Sequence, residues 1–148
     1  MRKFCGNVIK YVVLFLAGGL LYGVIEILWR GYTHPAMIVV GGIGFLLVGG
    51  INEWIPWQFS IIGQGLIGGT AITGLELLSG LFLNRYLGLG IWDYSNLPLN
   101  VMGQICVPFW GLWCLLAVAA LVVDDYLRYW LFEEEKPHYR IVPNWVGK

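Results

Sequence analysis

Residues 31–52, 54–75 and 94–123 of this 148-residue chain contain no Asp, Glu, Lys or Arg, and residues 11–25 add a fourth, shorter run. A helix needs about 20 apolar residues to cross ~30 Å of hydrocarbon. The pattern predicts an all-α integral membrane protein, a single domain over residues 1–148, with spans at roughly 9–30, 36–52, 58–83 and 103–124. A short C-terminal helix and cytoplasmic tail are expected over 125–148. Composition agrees: only 12% of residues are charged, against about 25% in soluble domains.

One pattern occurs twice. Gly18-Gly19 is followed after six residues by Glu26-Ile27-Leu28, and Gly68-Gly69 by Glu76-Leu77-Leu78, fifty positions later. The recurrence predicts two parallel two-helix repeats, spans one and two and then spans three and four. At about 100° per residue, Gly19, Gly23, Glu26 and Arg30 share one stripe of the first helix. Gln58, Gly65, Gly69, Thr73, Glu76 and Gly80 share one stripe of the third. Small residues four apart let backbones approach closely, so the first and third spans are expected to meet through these stripes.

An ionised carboxylate in hydrocarbon costs a few kcal/mol or more, so Glu26 and Glu76 must be compensated or used. Arg30 lies one turn after Glu26, in the order that favours pairing. Glu76 has no such neighbour; it must reach Arg30, Arg85 or Gln104, or hold a proton.

Net charge is zero, which implies no nucleic-acid partner; membrane lipids are the expected surroundings. Arg2, Lys3, Lys10, Arg128, Lys136, Arg140 and Lys148 fall on one side of the expected topology and Arg30 and Arg85 on the other, seven against two. Cytoplasmic segments retain the positive residues. Both termini are therefore expected in the cytoplasm, with the protein in the plasma membrane. Residues 1–17 imitate a signal peptide, but no small-residue cleavage motif follows, and the first span is read as retained. Cys5, Cys106 and Cys114 form no CxxC and are read as buried, apolar-like side chains. Residues 133–135, three glutamates, are read as a solvated face.

Gly63-Gln64-Gly65-Leu66-Ile67-Gly68 fits G-x-G-x-x-G, yet it lies inside an apolar span with no preceding strand, so helix packing explains it better than a nucleotide. The chain has no Walker A sequence, metal-ligand spacing or G-x-S-x-G elbow; no cofactor and no metal are expected. His34, before Pro35, is expected to start the second helix, and the segment 52–57 to form a tight turn.

The most specific stretch is the loop Trp92-Asp93-Tyr94-Ser95-Asn96-Leu97-Pro98-Leu99-Asn100-Val101-Met102-Gly103. Trp92 and Tyr94 suit a membrane interface, Ser95-Asn96 and Pro98 make turns, and Asn100 is expected to cap the fourth helix. In its W-D-Y-S…P-x-N-x-x-G pattern the chain resembles the CmpB-like membrane family of ABC-transporter type IV. The similarity takes in Glu76-Leu77-Leu78-Ser79-Gly80, Arg85, and Phe109 with Trp113, over roughly residues 15–125. Many family members carry a basic residue where this chain has Gln104. By its classification alone, the resemblance implies transport.

The candidate ligand or ion site is Glu26, Arg30, Glu76, Arg85, Asp93 and Gln104, in the outer half of the bilayer, with Trp92, Tyr94 and Asn100 as a lid. The leading function is a transporter component or solute-binding membrane subunit. Four short helices leave little room for a pathway, so a homo-oligomer or a separate ATPase subunit is implied. One alternative is an intramembrane enzyme acting on a lipid or isoprenoid with a Glu general acid/base, a reading that lacks a nucleophile or metal set. Another is a non-catalytic scaffold.

Overall fold

Four helices in the computed structural model are long and apolar enough to cross a membrane: Gly6–Arg30, Pro35–Trp54, Ile61–Tyr86 and Val107–Phe132. The structure describes residues 2–142; Lys148 and the side chains of Arg2, Lys3 and Cys5 lie outside what is described.

Helix α1 (Arg2–Arg30) stops at Gly31, whose φ is 83°. Helix α2 (Pro35–Gly49) starts as expected. Pro35 occupies its first turn, and His34 Nδ1 accepts a hydrogen bond from the Ala36 amide at 3.1 Å. Residues 52–57 do not form the tight turn expected of them. The chain instead passes through Gly50 into one more helical turn, α3 (Ile51–Trp54), and reverses at 55–60.

Helix α4 (Ile61–Gly80) begins later than the expected 58, because Ser60 caps it by accepting from the Ile62 amide at 3.2 Å. It continues past 83 as a π-helical turn, Leu81–Tyr86. The fourth span also begins late. Residues 100–106 form a small antiparallel hairpin, β1 (Asn100–Val101) with β2 (Ile105–Cys106), and α5 runs from Val107 to Phe132. Asn100 therefore belongs to the hairpin and does not cap α5, whose N-cap position is Cys106. As expected, helix continues beyond 124, and Glu133 ends it in the left-handed region at φ 56°.

The helices pack chiefly as α1 on α2 and α4 on α5, with α2 also touching α4 and α5. This corrects the expected seam between the glycine stripes. A Cβ on Gly19 would press on Ile38 of α2, and a Cβ on Gly69 would lie 2.6 Å from the Cys114 backbone of α5. The glycines thus close each helix onto its own neighbour in sequence, across the short 31–34 connection for α1 and the long 87–106 loop for α4. Val48, Ile51, Ala117 and Leu121 form one buried cluster, and Met37, Leu83 and Ile91 another. Leu20, Leu28, Leu47, Leu78 and Leu115 stay exposed around the bundle, as a lipid-facing surface should be. Cys106 is buried and Cys114 half-buried.

Candidate functional site

At the hairpin end, Glu26 pairs with Arg30 at 2.8 Å, the expected i,i+4 bridge. The same carboxylate accepts from Thr33 Oγ1 at 2.5 Å and from the Tyr22 hydroxyl at 3.2 Å. Arg30 reaches on to donate to the Ile91 carbonyl at 2.9 Å, tying α1 to the loop beyond α4. With a cation and two hydroxyls around it, Glu26 is compensated locally.

Glu76 is different. It is buried on α4 and accepts from the Tyr94 hydroxyl at 2.8 Å and from Trp113 Nε1 at 2.9 Å. Neither donor is a cation, and neither Arg30, Arg85 nor Gln104, the expected partners, bonds to it. Tyr94 lies outside the spans, where burial, reinforced by the Glu76 carboxylate, pushes its hydroxyl well above the ordinary tyrosine range. It stays protonated and keeps donating. Its ring stacks on Phe109 at 4.5 Å.

Several residues of the loop motif have separate uses. Asp93 Oδ1 accepts from the Ser95 amide at 2.9 Å and from its hydroxyl. These bonds hold the exposed Asp93 carboxyl below its ordinary range. The Tyr94 amide donates to the Gly103 carbonyl at 2.8 Å, and Asn100 Oδ1 accepts from the Gly103 amide at 3.1 Å. Met102 and Gly103 both have positive φ, 57° and 70°, in the tight turn closed by Gln104 N–H to Val101 O, as a primed hairpin turn demands. A Cβ on Gly103 would lie 2.8 Å from Asp93 Oδ1, so glycine is needed there for space as well as for φ.

Gln104 is buried, and its side chain accepts from Asn84 Nδ2 at 2.9 Å while its carbonyl accepts from Trp92 Nε1 at 3.0 Å. Asn84, unremarked in the sequence, is the hub. It also donates to the Trp92 carbonyl and accepts from the Ile91 amide at 2.6 Å. Losing these bonds leaves buried polar groups unpaired at about 1–3 kcal/mol each. Asn84→Ala is accordingly expected to speed amide exchange at Ile91 and expose the Trp92 indole to quencher. Unchanged exchange would remove Asn84 from this role.

The nine candidates thus do not form one cluster. Glu26 and Arg30 make one group, Glu76 and Tyr94 a second with Trp113, and Gln104 and Trp92 a third around Asn84. Asn100 and Asp93 shape the loop, and Asp93 and Arg85 are exposed and join none of these groups.

Below Glu76, between the α1–α2 and α4–α5 pairs, is a cavity of about 240 Å3. Its walls are almost wholly apolar, including Val40, Phe45, Ile72, Leu75 and Leu116, and Glu76, Tyr22 and Trp113 sit on its lining. Ser79 also faces it, but its hydroxyl donates back to the Leu75 carbonyl at 2.7 Å.

The opposite end holds a polar cluster that the sequence reading passed over. Arg128 donates to Asp124 at 2.5 Å and to Glu53 at 2.8 Å, and Glu134 pairs with Lys10 at 2.7 Å. Glu134 is therefore a packing residue of the bundle and not part of a solvated run. Asp125 accepts from Asn52 at 2.6 Å and Tyr139 at 2.9 Å. Tyr139 lies beyond α5, where burial and the Asp125 bond push its hydroxyl upward. The i,i+4 spacing of Asp124 and Arg128 at the end of an apolar run was the signal available for this cluster.

Fold and site together define a four-helix integral membrane protein with an apolar cleft between its helix pairs and a carboxyl group on the cleft wall. The chain belongs to the family described as "Putative ABC-transporter type IV", which matches residues 4–142. No curated protein and no solved structure matches it.

Proposed function

We propose that this protein is the ligand-binding membrane subunit of a transport system, and that the cavity between the two helix pairs receives the ligand. The observation that carries this reading is Glu76, a buried carboxyl on an apolar cavity wall with two neutral donors as its partners. An intramembrane carboxylate without a cation is costly and marks a site by default. The ligand class that complements it is a small apolar molecule with an ammonium or another strong hydrogen-bond donor. Arg30 and Glu26 close the hairpin end, and Gln104, Trp92 and Asn100 hold the loop that places Tyr94 on Glu76. Arg85 and Asp93 face outward, suited to first contact with solute. The family description favours transport, with a separate ATPase or further copies of this chain completing the pathway. A parallel two-helix repeat, as the recurring Gly-Gly…Glu pattern suggests, would fit this use, each repeat supplying one wall.

Glu76→Gln separates chemistry from packing. A glutamine oxygen can still accept from Trp113, while its amide nitrogen donates to the Tyr94 hydroxyl, so stability should change by less than about 1 kcal/mol. Hexylamine is expected to raise the unfolding midpoint of the parent protein in detergent and to lose that effect in Glu76→Gln, with 1-hexanol equal in both. Equal stabilisation of the two proteins by hexylamine would leave Glu76 structural and support the scaffold reading.

The excess of positive residues on one side supports a topology with both termini in the cytoplasm. A thiol introduced as Asn96→Cys should react with an impermeant maleimide on intact cells, and one introduced as Glu135→Cys should be protected until the cells are lysed. The reverse pattern would invert the topology.

A further inference from the structure

We propose that the cleft beside Glu76 takes a single-chain amphiphilic amine dissolved in the bilayer, and takes it sideways, through a slot between α1 and α5. This rests on the ligand-binding reading above and narrows it, from a small apolar molecule to an amphiphile of the leaflet next to the hairpin end.

The exposure of the lining residues locates the slot. Leu21 of α1 is 46% exposed, Val123 of α5 is 38% exposed, and Ala119 of α5 is exposed as well. The lining residues of α2 and α4 are all buried or half-buried. α1 and the α5 end of the chain meet at two levels. The Tyr22 and Trp113 rings lie 5.9 Å apart at one, and at the other Lys10 pairs with Glu134 while Arg128 lies over the Tyr11 ring. Between these levels Leu21, Ala119 and Val123 stay uncovered, on the surface that faces hydrocarbon.

The walls set the chemistry of the ligand. Glu76 holds the only charge on the lining and is 7% exposed. Each of its oxygens accepts one hydrogen bond, and an ionised carboxylate can accept about four. The hydroxyls of Tyr22 and Ser79 are already donating, to Glu26 and to the Leu75 carbonyl. The head of the ligand is therefore a donor, and a positive one. The remaining wall is apolar from the level of Trp113 to that of Val123, about 15 Å at 1.5 Å per residue, which matches a hydrocarbon tail. Glu76 stands at the hairpin end, where Tyr94 reaches it from the loop, and the apolar length runs toward the middle of the bilayer. A leaflet amphiphile has the same order, so it can enter sideways without taking its charged head through hydrocarbon. A helix, about 10 Å or more across with its side chains, could cover the slot but not enter a cleft of about 240 Å3.

The test uses the full chain in phosphatidylcholine nanodiscs, with dodecylamine carrying a photoactivatable diazirine in mid-chain. Irradiation should label Leu21 and Val123, and excess plain dodecylamine should reduce that labelling at least severalfold. Labelling of Leu28 and Leu115, exposed on the outside of the bundle, should not be competed. A Cβ on Gly44 would meet only Leu75 Cδ2, at 3.6 Å, so Gly44→Leu fills the cleft with no backbone in its way. Gly44→Leu, Ala119→Trp at the slot and Glu76→Gln should each lower the competed labelling at least severalfold. Labelling of Leu21 and Val123 that dodecylamine does not compete overturns the proposal, as does competed labelling that Ala119→Trp or Glu76→Gln leaves unchanged. A slot covered by a second copy would leave Leu21 unlabelled while Leu28 is labelled, and that result overturns it too. Hexylamine, which comes from water, separates this proposal from the reading it rests on. Glu76-dependent stabilisation by hexylamine without competed dodecylamine labelling keeps the binding site and rejects the slot; failure of both rejects both.

Discussion

Gly69→Leu is expected to abolish folding into the native bundle. A Cβ at that position would stand 2.5 Å from Cys114 Sγ and 2.6 Å from both the Cα and the amide nitrogen of Cys114. Backbone cannot rotate out of the way as a side-chain tip can. The loss should therefore reach at least about 3 kcal/mol, the upper end of over-packing costs. Gly74, one turn and a half further along the same helix, has nothing within 4 Å of its Cβ position. Gly74→Leu should be neutral or slightly stabilising, because glycine costs a helix about 1 kcal/mol relative to better helix formers. Gly23→Leu should fall between, since its nearest neighbour is the Ile38 side chain at 3.4 Å. Monodispersity in detergent and the thermal midpoint of all three variants provide the measurement. Similar behaviour of Gly69→Leu and Gly74→Leu would refute the α4–α5 seam.

Arg128→Leu should be the most damaging change at the polar end. Asp124 is fully buried, and Arg128 is its charge partner at 2.5 Å. Removing one member of a buried pair costs about 3–5 kcal/mol, whereas replacing both by apolar groups is often neutral. The double replacement Asp124→Leu with Arg128→Leu should therefore recover most of the lost stability. A double-mutant cycle on the unfolding free energy reads the coupling directly. Additive losses would show that the two side chains act separately.

Much of the architecture was legible in the charge-free runs, because exclusion of charge from hydrocarbon acts on composition alone. Boundaries were less so. The late starts of α4 and α5 depend on the Ser60 cap and on the 100–106 hairpin, both decided by local hydrogen bonds that hydropathy does not register. The Glu26–Arg30 bridge followed from spacing within one helix. The partners of Glu76 did not, since Tyr94 and Trp113 lie 18 and 37 residues away and come from a loop and from α5. The glycine pairs signalled close approach correctly but could not say to which helix. The Arg128 cluster needed tertiary placement too: Glu53 is 75 residues from Arg128, and Lys10 is 124 residues from Glu134.

The distribution of glycine contacts has a mechanical consequence. Within each helix pair the backbones touch, so neither hairpin can be compressed or splayed without breaking its own seam. Between the pairs the contact is made by side chains: α2 packs on α4 and α5, with Val48, Ile51, Ala117 and Leu121 clustered beside the cavity, and Arg30 to Ile91 at one end and Lys10 to Glu134 with Arg128 to Glu53 at the other add polar ties. The molecule is thus two planks closed by backbone contact and joined to each other by side-chain packing. Tilting one plank against the other would shear side-chain packing, whereas parting the helices within a plank would separate touching backbones.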